Sequence, residues 1–206
     1  MNYIGIDIGS TASKVAVKGD HDLHFVLPTG WSSKETCQTI KDRLLEDSVD
    51  VLSDDSKVVA TGYGRVAVDF ADHVITEITC HAKGANYLNP NVRTIIDIGG
   101  QDSKVIRLSE SGAVETFAMN DKCAAGTGRF LEMMARTLQM KLPEMSELGL
   151  DWHNDVTISS MCTVFAESEV VSLVAQNKEV ADIILPNMLD IKRPELKDGK
   201  YKVVVS

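Results

Sequence analysis

Two Asp-Ile-Gly turns, Asp7-Ile8-Gly9 and Asp97-Ile98-Gly99, each stand between an apolar run and a Ser-Lys-Val that opens a second apolar run. Glycine lets a backbone approach an oxygen-rich ligand without a Cβ, and successive N–H groups in such a turn form an anion-binding concavity. The first turn offers Gly9, Ser10, Thr11, Ala12, Ser13 and the cation Lys14; the second offers Gly99, Gly100, Gln101 and Asp102, with the Ser103 hydroxyl beside them. A third glycine loop, Gly126-Thr127-Gly128, follows. One such turn alone reads as an ordinary hairpin, but the matched pair with a third loop reads as a phosphate clamp. Asp7 and Asp97 share the charge of a phosphate and cannot bind it directly. As the candidate catalytic pair they would hold Mg²⁺ through water or orient an attacking water. The pattern GxxxxGK[ST] is absent, which disfavours a P-loop.

The elements that must carry these groups follow from periodicity. YIGIDIG and SKVAVKG flank a short polar turn and predict a β-hairpin. The spacing predicts a helix over 33–47 with Ile40, Leu44 and Leu45 on one side, a strand at KVVATGYG, and helical stretches over 65–72 and 77–88. RTIIDIGGQDSKVIRLSESGAVETFAMN then repeats the opening as strand, turn, strand, turn, strand. Two copies of one strand–turn–strand unit predict two similar lobes. Helices are expected over 127–140 and 163–177, with a short strand VTISS between them. Pro186 should end the preceding helix. A polar stretch, KRPELKDGK, and a small strand, YKVVV, close the sequence.

The two-lobed clamp resembles the superfamily of actin, sugar kinases and heat-shock chaperone ATPases. Within it, the strings IDIGSTASK, ATGYGR, EITCHAKGA, IDIGGQDSKVI, NDKCAAGTGRFLE and ISSMCTVFAESEV look like the activator ATPases of 2-hydroxyacyl-CoA dehydratases and benzoyl-CoA reductases, over residues 3 to about 185. The resemblance implies an α/β, actin-like (ribonuclease H-like) two-lobed ATPase fold. Residues 1–90 would form the first lobe with its phosphate loop. Residues 91–185 would form the second, truncated lobe with a phosphate loop and the cluster-ligand helices, and 186–206 a short atypical tail. The glycine-rich loop by which the family holds adenosine is not found after Leu185. The implied activity is ATP-dependent transfer of a low-potential electron to a 2-hydroxyacyl-CoA dehydratase or related CoA-ester reductase. Its cofactors are ATP/ADP, Mg²⁺ and one [4Fe–4S] cluster per homodimer, and its electron donor is reduced ferredoxin or flavodoxin. A small-molecule kinase with Asp97 as base, or a non-catalytic iron–sulfur redox sensor, are the competing readings.

The cysteines fit that implication. Four stand at positions 37, 80, 123 and 162, none in a CxxC pair. Cys123 precedes AAGTGRFLEMMARTL and Cys162 precedes TVFAESEVVSLVAQ, so each is expected at the mouth of a helix. A helix N-terminus carries roughly half a positive charge and free N–H donors, which stabilise thiolates and an anionic cluster. A [4Fe–4S] cluster takes four thiolates, and two per chain point to a two-fold dimer that shares one cluster. Buried small hydrophobes, a disulfide or a shared Zn²⁺ site are the other readings of Cys123 and Cys162. Cys37 lies inside a predicted helix and reads as structural, as does Cys80 by core packing. His21, His24, His73 and His153 lack partners at ligand spacing and read as solvated; the methionines read as helix packing. Glu167 and Glu169 suit a structural role at least as well as a catalytic one.

The bulk properties narrow the field. The chain has 206 residues, 44% apolar, with a net charge of −9, and no segment concentrates Lys and Arg, which argues against nucleic acid. MNYIGIDIG has no basic n-region, and no run of about 18 apolar residues predicts a membrane span. The expectation is a cytoplasmic protein.

Overall fold

A computed structural model of the chain describes residues 1–121, 126–158 and 163–188. The chain divides into two compact units, one of Met1–Arg93 with Leu108–Glu115, the other of Thr94–Arg107 with the chain from Thr116 on.

In the first unit the predicted hairpin is β1 (Asn2–Ile8) and β2 (Ala12–Gly19), paired antiparallel from Asn2↔Gly19 to Ile8↔Ser13. Alternation explains why it forms. Ile4, Ile6 and Ile8 face the core with Val15 and Val17, while Tyr3, Gly5 and Asp7 point to the other face. Two further strands escape the sequence reading: β3 (Leu23–Pro28), antiparallel to β2, and β5 (His73–Val74), parallel to the edge of β4 (Ser56–Thr61). β4 pairs parallel with β1, which gives the sheet order β3-β2-β1-β4-β5.

Helix α1 (Ser33–Glu46) is capped by Ser32, whose hydroxyl accepts from the Glu35 N–H at 3.3 Å. It buries Ile40 and Leu44 against the sheet, each side chain contributing about 1.5–3 kcal/mol by burial. Leu45, expected on that side, is 62% exposed. At about 100° per residue, one step past Leu44 already turns off the stripe.

The helix expected over 65–72 is a single 3₁₀ turn, Arg65–Ala67. Competition from the sheet edge ends it. The Asp72 N–H bonds to Val58 O at 2.9 Å, and its carboxylate accepts the Val58 N–H at 2.7 Å. The helix α2 (Glu77–Leu88) follows as expected.

The repeat builds β6 (Thr94–Ile98) and β7 (Ser103–Leu108), antiparallel with Asp97 opposite Lys104, and β8 (Val114–Asn120) follows on the far side of β7. Four helices follow: α3 (Gly128–Thr137), α4 (Leu142–Gly149), α5 (Thr163–Ala175) and α6 (Val180–Met188). Phe130, Met134, Met145, Val170 and Ile183 form their core, so the methionines pack as read from sequence.

Three expectations change here. The first helix stops at Thr137, and Gln139 adopts a left-handed φ of 56°. A helix that the sequence reading did not expect, α4, stands before the segment read as a strand; it opens with a proline in its first turn and has the Glu144 carboxylate accepting the Lys141 N–H at 2.8 Å. Of the strand expected over 156–160, residues 156–158 are not in a strand, and Val156 and Ile158 pack on the helical core instead; 159–160 lie outside the described residues. Finally, α6 runs through Pro186 to Met188. A proline costs the N–H bond to residue 182 and crowds that carbonyl, but the residues after it keep their own N–H donors and here continue the helix. Residues 201–205, read as a strand, lie outside the described residues.

Asp182, only 4% exposed, ties α6 to the chain after α4. Its carboxylate accepts the His153 N–H at 2.6 Å, the Asn154 N–H at 2.9 Å and the Asn154 side-chain amide at 2.8 Å. The His153 N–H, then the two Asn154 donors, hold its carboxyl below the ordinary 3.8 against the opposing effect of burial. A depressed folded value means that the stabilisation is present above 3.8 and is lost as pH falls through the lowered value. Asp182→Asn is therefore expected to unfold at lower urea than wild type at pH 7, with the gap closing in acid below 3.8. A gap independent of pH would show that the charge contributes nothing.

Candidate functional site

The first turn hangs on three neighbouring strands. Asp7 of β1 lies in register with Lys14 of β2 on one side and Thr61 of β4 on the other, so all three share one sheet face. Lys14 Nζ donates to Asp7 Oδ2 at 3.1 Å, with the lysine side chain 53% exposed and the aspartate 23%. A Cβ on Gly9 would meet Ala12 O at 2.6 Å and Lys14 Nζ at 3.2 Å, so only glycine closes this turn. Ser10, Thr11 and Lys14 remain accessible. Ser13 faces inward and is fully buried, its hydroxyl 2.7 Å from Thr29 Oγ1, while the Thr11 carbonyl accepts the Thr29 N–H at 2.9 Å.

A second loop walls this turn. Thr61-Gly62-Tyr63-Gly64-Arg65 leaves β4, and the Gly64 N–H bonds to Ile8 O at 2.9 Å. Gly62 has φ +84°, and a Cβ there would lie 2.2 Å from Asp7 Oδ1. Arg65 Nη1 donates to Gly62 O at 2.9 Å and stands 3.7 Å from Glu77 of α2. The sequence reading assigned no role to this loop. Its signal was a Thr-Gly-x-Gly-Arg run directly after an apolar strand.

The second turn has the same register and the opposite burial. Asp97, Asp102 and Lys104 are 3%, 3% and 4% exposed. Lys104 Nζ donates to Asp102 Oδ2 at 2.8 Å and to Asp97 Oδ2 at 3.5 Å. The repeat accounts for the difference. Where the first copy has Ala12, the second has Asp102, which gives its lysine a second carboxylate. Asp102, read as a ligand-binding residue, turns its side chain to Lys104, a partner that the sequence reading did not single out. Gly99 must be glycine, because a Cβ would lie 2.3 Å from Asp102 Oδ1.

The third loop joins this second turn. The Gly128 N–H bonds to Gly99 O at 2.9 Å and the Arg129 N–H to Gly100 O at 3.0 Å, so the start of α3 is fastened to the turn. Thr127 is fully buried there. The orientation of Gln101 that satisfies both partners turns its oxygen to Arg129, Nη1 and Nη2 at 2.7 and 3.1 Å.

Among the described residues no three His, Cys, Asp or Glu side chains gather as a cation cage. Mg²⁺ asks for less. It keeps several waters and takes one or two carboxylates with the phosphates of its nucleotide, and the partly exposed oxygens of Asp7 beside a glycine turn suit that chemistry.

Cys123 and Cys162 both lie outside the described residues; α5 begins at Thr163, directly after Cys162. Cys37 and Cys80 are free thiols. Cys37 is 4% exposed in the first core, and burial, with the nearby Asp69 charge, pushes its thiol up, as suits an inert packing residue. Glu167 accepts the Thr137 hydroxyl at 3.1 Å, which joins α3 to α5. No described helix is long and apolar enough to cross a membrane.

Comparison with known proteins places this geometry. The model of the BadF/BadG/BcrA/BcrD ATPase family matches residues 4–192. The chain is 46% identical over 189 residues to the 2-hydroxyisocaproyl-CoA dehydratase activator of Clostridioides difficile, covering 89% of this chain and 70% of the relative. It is 50% identical over 187 residues to the activator of lactoyl-CoA dehydratase of Anaerotignum propionicum, covering 89% and 72%. Among solved structures, it is similar to the activator of the 2-hydroxyisocaproyl-CoA dehydratase from Clostridium difficile with bound ADPNP. There the TM-score is 0.76 at 42% identity, covering 89% of this chain and 69% of that one. The fold class is thus α/β and actin-like, as the resemblance implied.

Proposed function

The chain belongs to the BadF/BadG/BcrA/BcrD ATPase family, and from that premise we propose that it is the ATP-hydrolysing activator of a 2-hydroxyacyl-CoA dehydratase or related CoA-ester reductase. It would act in the cytoplasm as a homodimer, with Cys123 and Cys162 of each subunit holding one [4Fe–4S] cluster. Reduced ferredoxin or flavodoxin would give the dimer one electron, and the dehydratase would receive it. One-electron storage at low potential is what the cluster supplies when bound.

The observation that carries this reading is the pair of backbone bonds from Gly128 and Arg129 to Gly99 and Gly100. They fasten the start of α3 to the second turn, and Cys123 stands just before that helix in the sequence. A nucleotide that moved the turn would act on the start of α3 through these two bonds. ATP favours the transfer-competent arrangement only to the extent that it binds that arrangement better than it binds the other. In the rest of the site, Gly9 to Lys14, Gly99 to Asp102 and Gly126 to Gly128 would supply N–H, hydroxyl and ammonium donors to the phosphates. Asp7 and Asp97 would face Mg²⁺ through water or aim the attacking water.

Calorimetric titration tests the clamp. Wild type is expected to bind ATP with a clear Mg²⁺ dependence. Asp7→Ala and Asp97→Ala should each lose about tenfold or more in the Mg²⁺-dependent part, about 1.4 kcal/mol, and far less in binding of free nucleotide. Equal affinity with and without Mg²⁺ in wild type would remove the two aspartates from the site.

A further inference from the structure

The loop after β4 has a feature that the nucleotide clamp does not use. Thr61 Oγ1 is buried and has no hydrogen-bond partner among the described residues. Thr61 is the residue in register with Asp7 on the neighbouring parallel strand, so the two side chains stand side by side on one face about 4.8 Å apart along the sheet. The next residue, Gly62, brings the chain so close to Asp7 Oδ1 that a Cβ would lie 2.2 Å from it. On the opposite side, Asp7 Oδ2 takes the Lys14 ammonium at 3.1 Å. Asp7 thus has an engaged cation on one strand and an unused hydroxyl donor on the other. A valine would fill this β-branched strand position equally well without burying an unpaired polar atom.

We infer that Thr61 is a positioning residue, a reserve donor that bonds to the Asp7 carboxylate when a phosphate draws Lys14 away. The inference rests on the reading of Gly9 to Lys14 as a phosphate turn. Lys14 cannot serve both Asp7 and a phosphate at full strength. When its ammonium turns to the ligand, Asp7 loses its donor, and a small rotation of the carboxylate brings it to the adjacent Thr61 hydroxyl. The aspartate is then held by an O–H from β4 and keeps a fixed direction while its other oxygen faces Mg²⁺ water.

A double-mutant cycle on the ligand-free chain, read by urea unfolding, tests this without nucleotide. In wild type, Thr61→Val is expected to leave the midpoint unchanged or raise it. In the Lys14→Met background, where Asp7 has no ammonium, the same Thr61→Val should lower the midpoint. Calorimetry should show Mg-ATP affinity about tenfold weaker in Thr61→Val, as for loss of one bond to a charged group, and restored in Thr61→Ser. Additive midpoints, or wild-type affinity in Thr61→Val, overturn the role of Thr61 and leave the activator reading standing. A lowered midpoint for Thr61→Val alone also overturns it, since the hydroxyl would then be bonded already. Absence of Mg-ATP binding by wild type overturns the activator reading and, with it, the trigger proposed for Thr61.

Discussion

Protein purified without oxygen is expected to carry about four irons and four sulfides per dimer, the content of one shared cubane, and Cys123→Ser or Cys162→Ser should carry none. The size of the effect follows from the symmetry. In the proposed dimer each subunit would supply half of the four thiolates, so one substitution per chain would remove two ligands from the shared site. Cys37→Ser should keep full iron, because Cys37 is sealed in the core of the first unit with its thiol pushed up by burial. Cluster and dimer are linked by mass action, since a group that binds only the dimer stabilises it. Removal of iron by a chelator should therefore shift sedimentation toward the monomer. Full iron in Cys162→Ser, or a monomer with full iron, would end the shared-cluster model.

Lys104→Met should cost far more stability than Lys14→Met, although the two lysines occupy the same place in the repeat. At the second turn the substitution leaves Asp97 and Asp102, each 3% exposed, without the ammonium between them. Removing one partner from a buried ionic group typically costs about 3–5 kcal/mol, because the remaining charge is held away from water and has lost its counter-ion. At the first turn the lysine is 53% exposed, and water replaces what it gave to Asp7, so a cost of about 0–1 kcal/mol is expected. Urea unfolding of the two variants side by side measures the difference. Equal small losses would mean that the buried triad is solvated or unpaired in solution. The nucleotide response should invert: Lys14→Met should weaken binding of the phosphates directly, whereas Lys104→Met acts only through the aim of Asp97.

The sequence by itself determined the two strand–turn–strand units that carry Asp7 and Asp97. Alternation of apolar residues forces strands and a glycine turn forces the chain back, while the structure supplied the register that sets Asp7 opposite Lys14 and Asp97 opposite Lys104. Every step uses residues within about ten positions of one another, where periodicity carries the information. The repeat was legible for the same reason, and the α/β, actin-like class through the resemblance carried by its motifs. What lies beyond local reach was not. β5 exists only because β4 offers it an edge, and 65–72 gives up a helix because Val58 captures Asp72. Thr61 meets Asp7 through parallel pairing of strands far apart in the chain, a register that no local pattern encodes. Which face of each hairpin is buried became visible only in the tertiary structure. In the first copy Ile6 and Ile8 go inward and Asp7 stays half open, whereas in the second Asp97 and Lys104 go inward and Ile96 is 39% exposed. The same strand–turn–strand can bury either face. The choice falls to what packs against it, with Asp102 making burial of a lysine affordable only in the second copy.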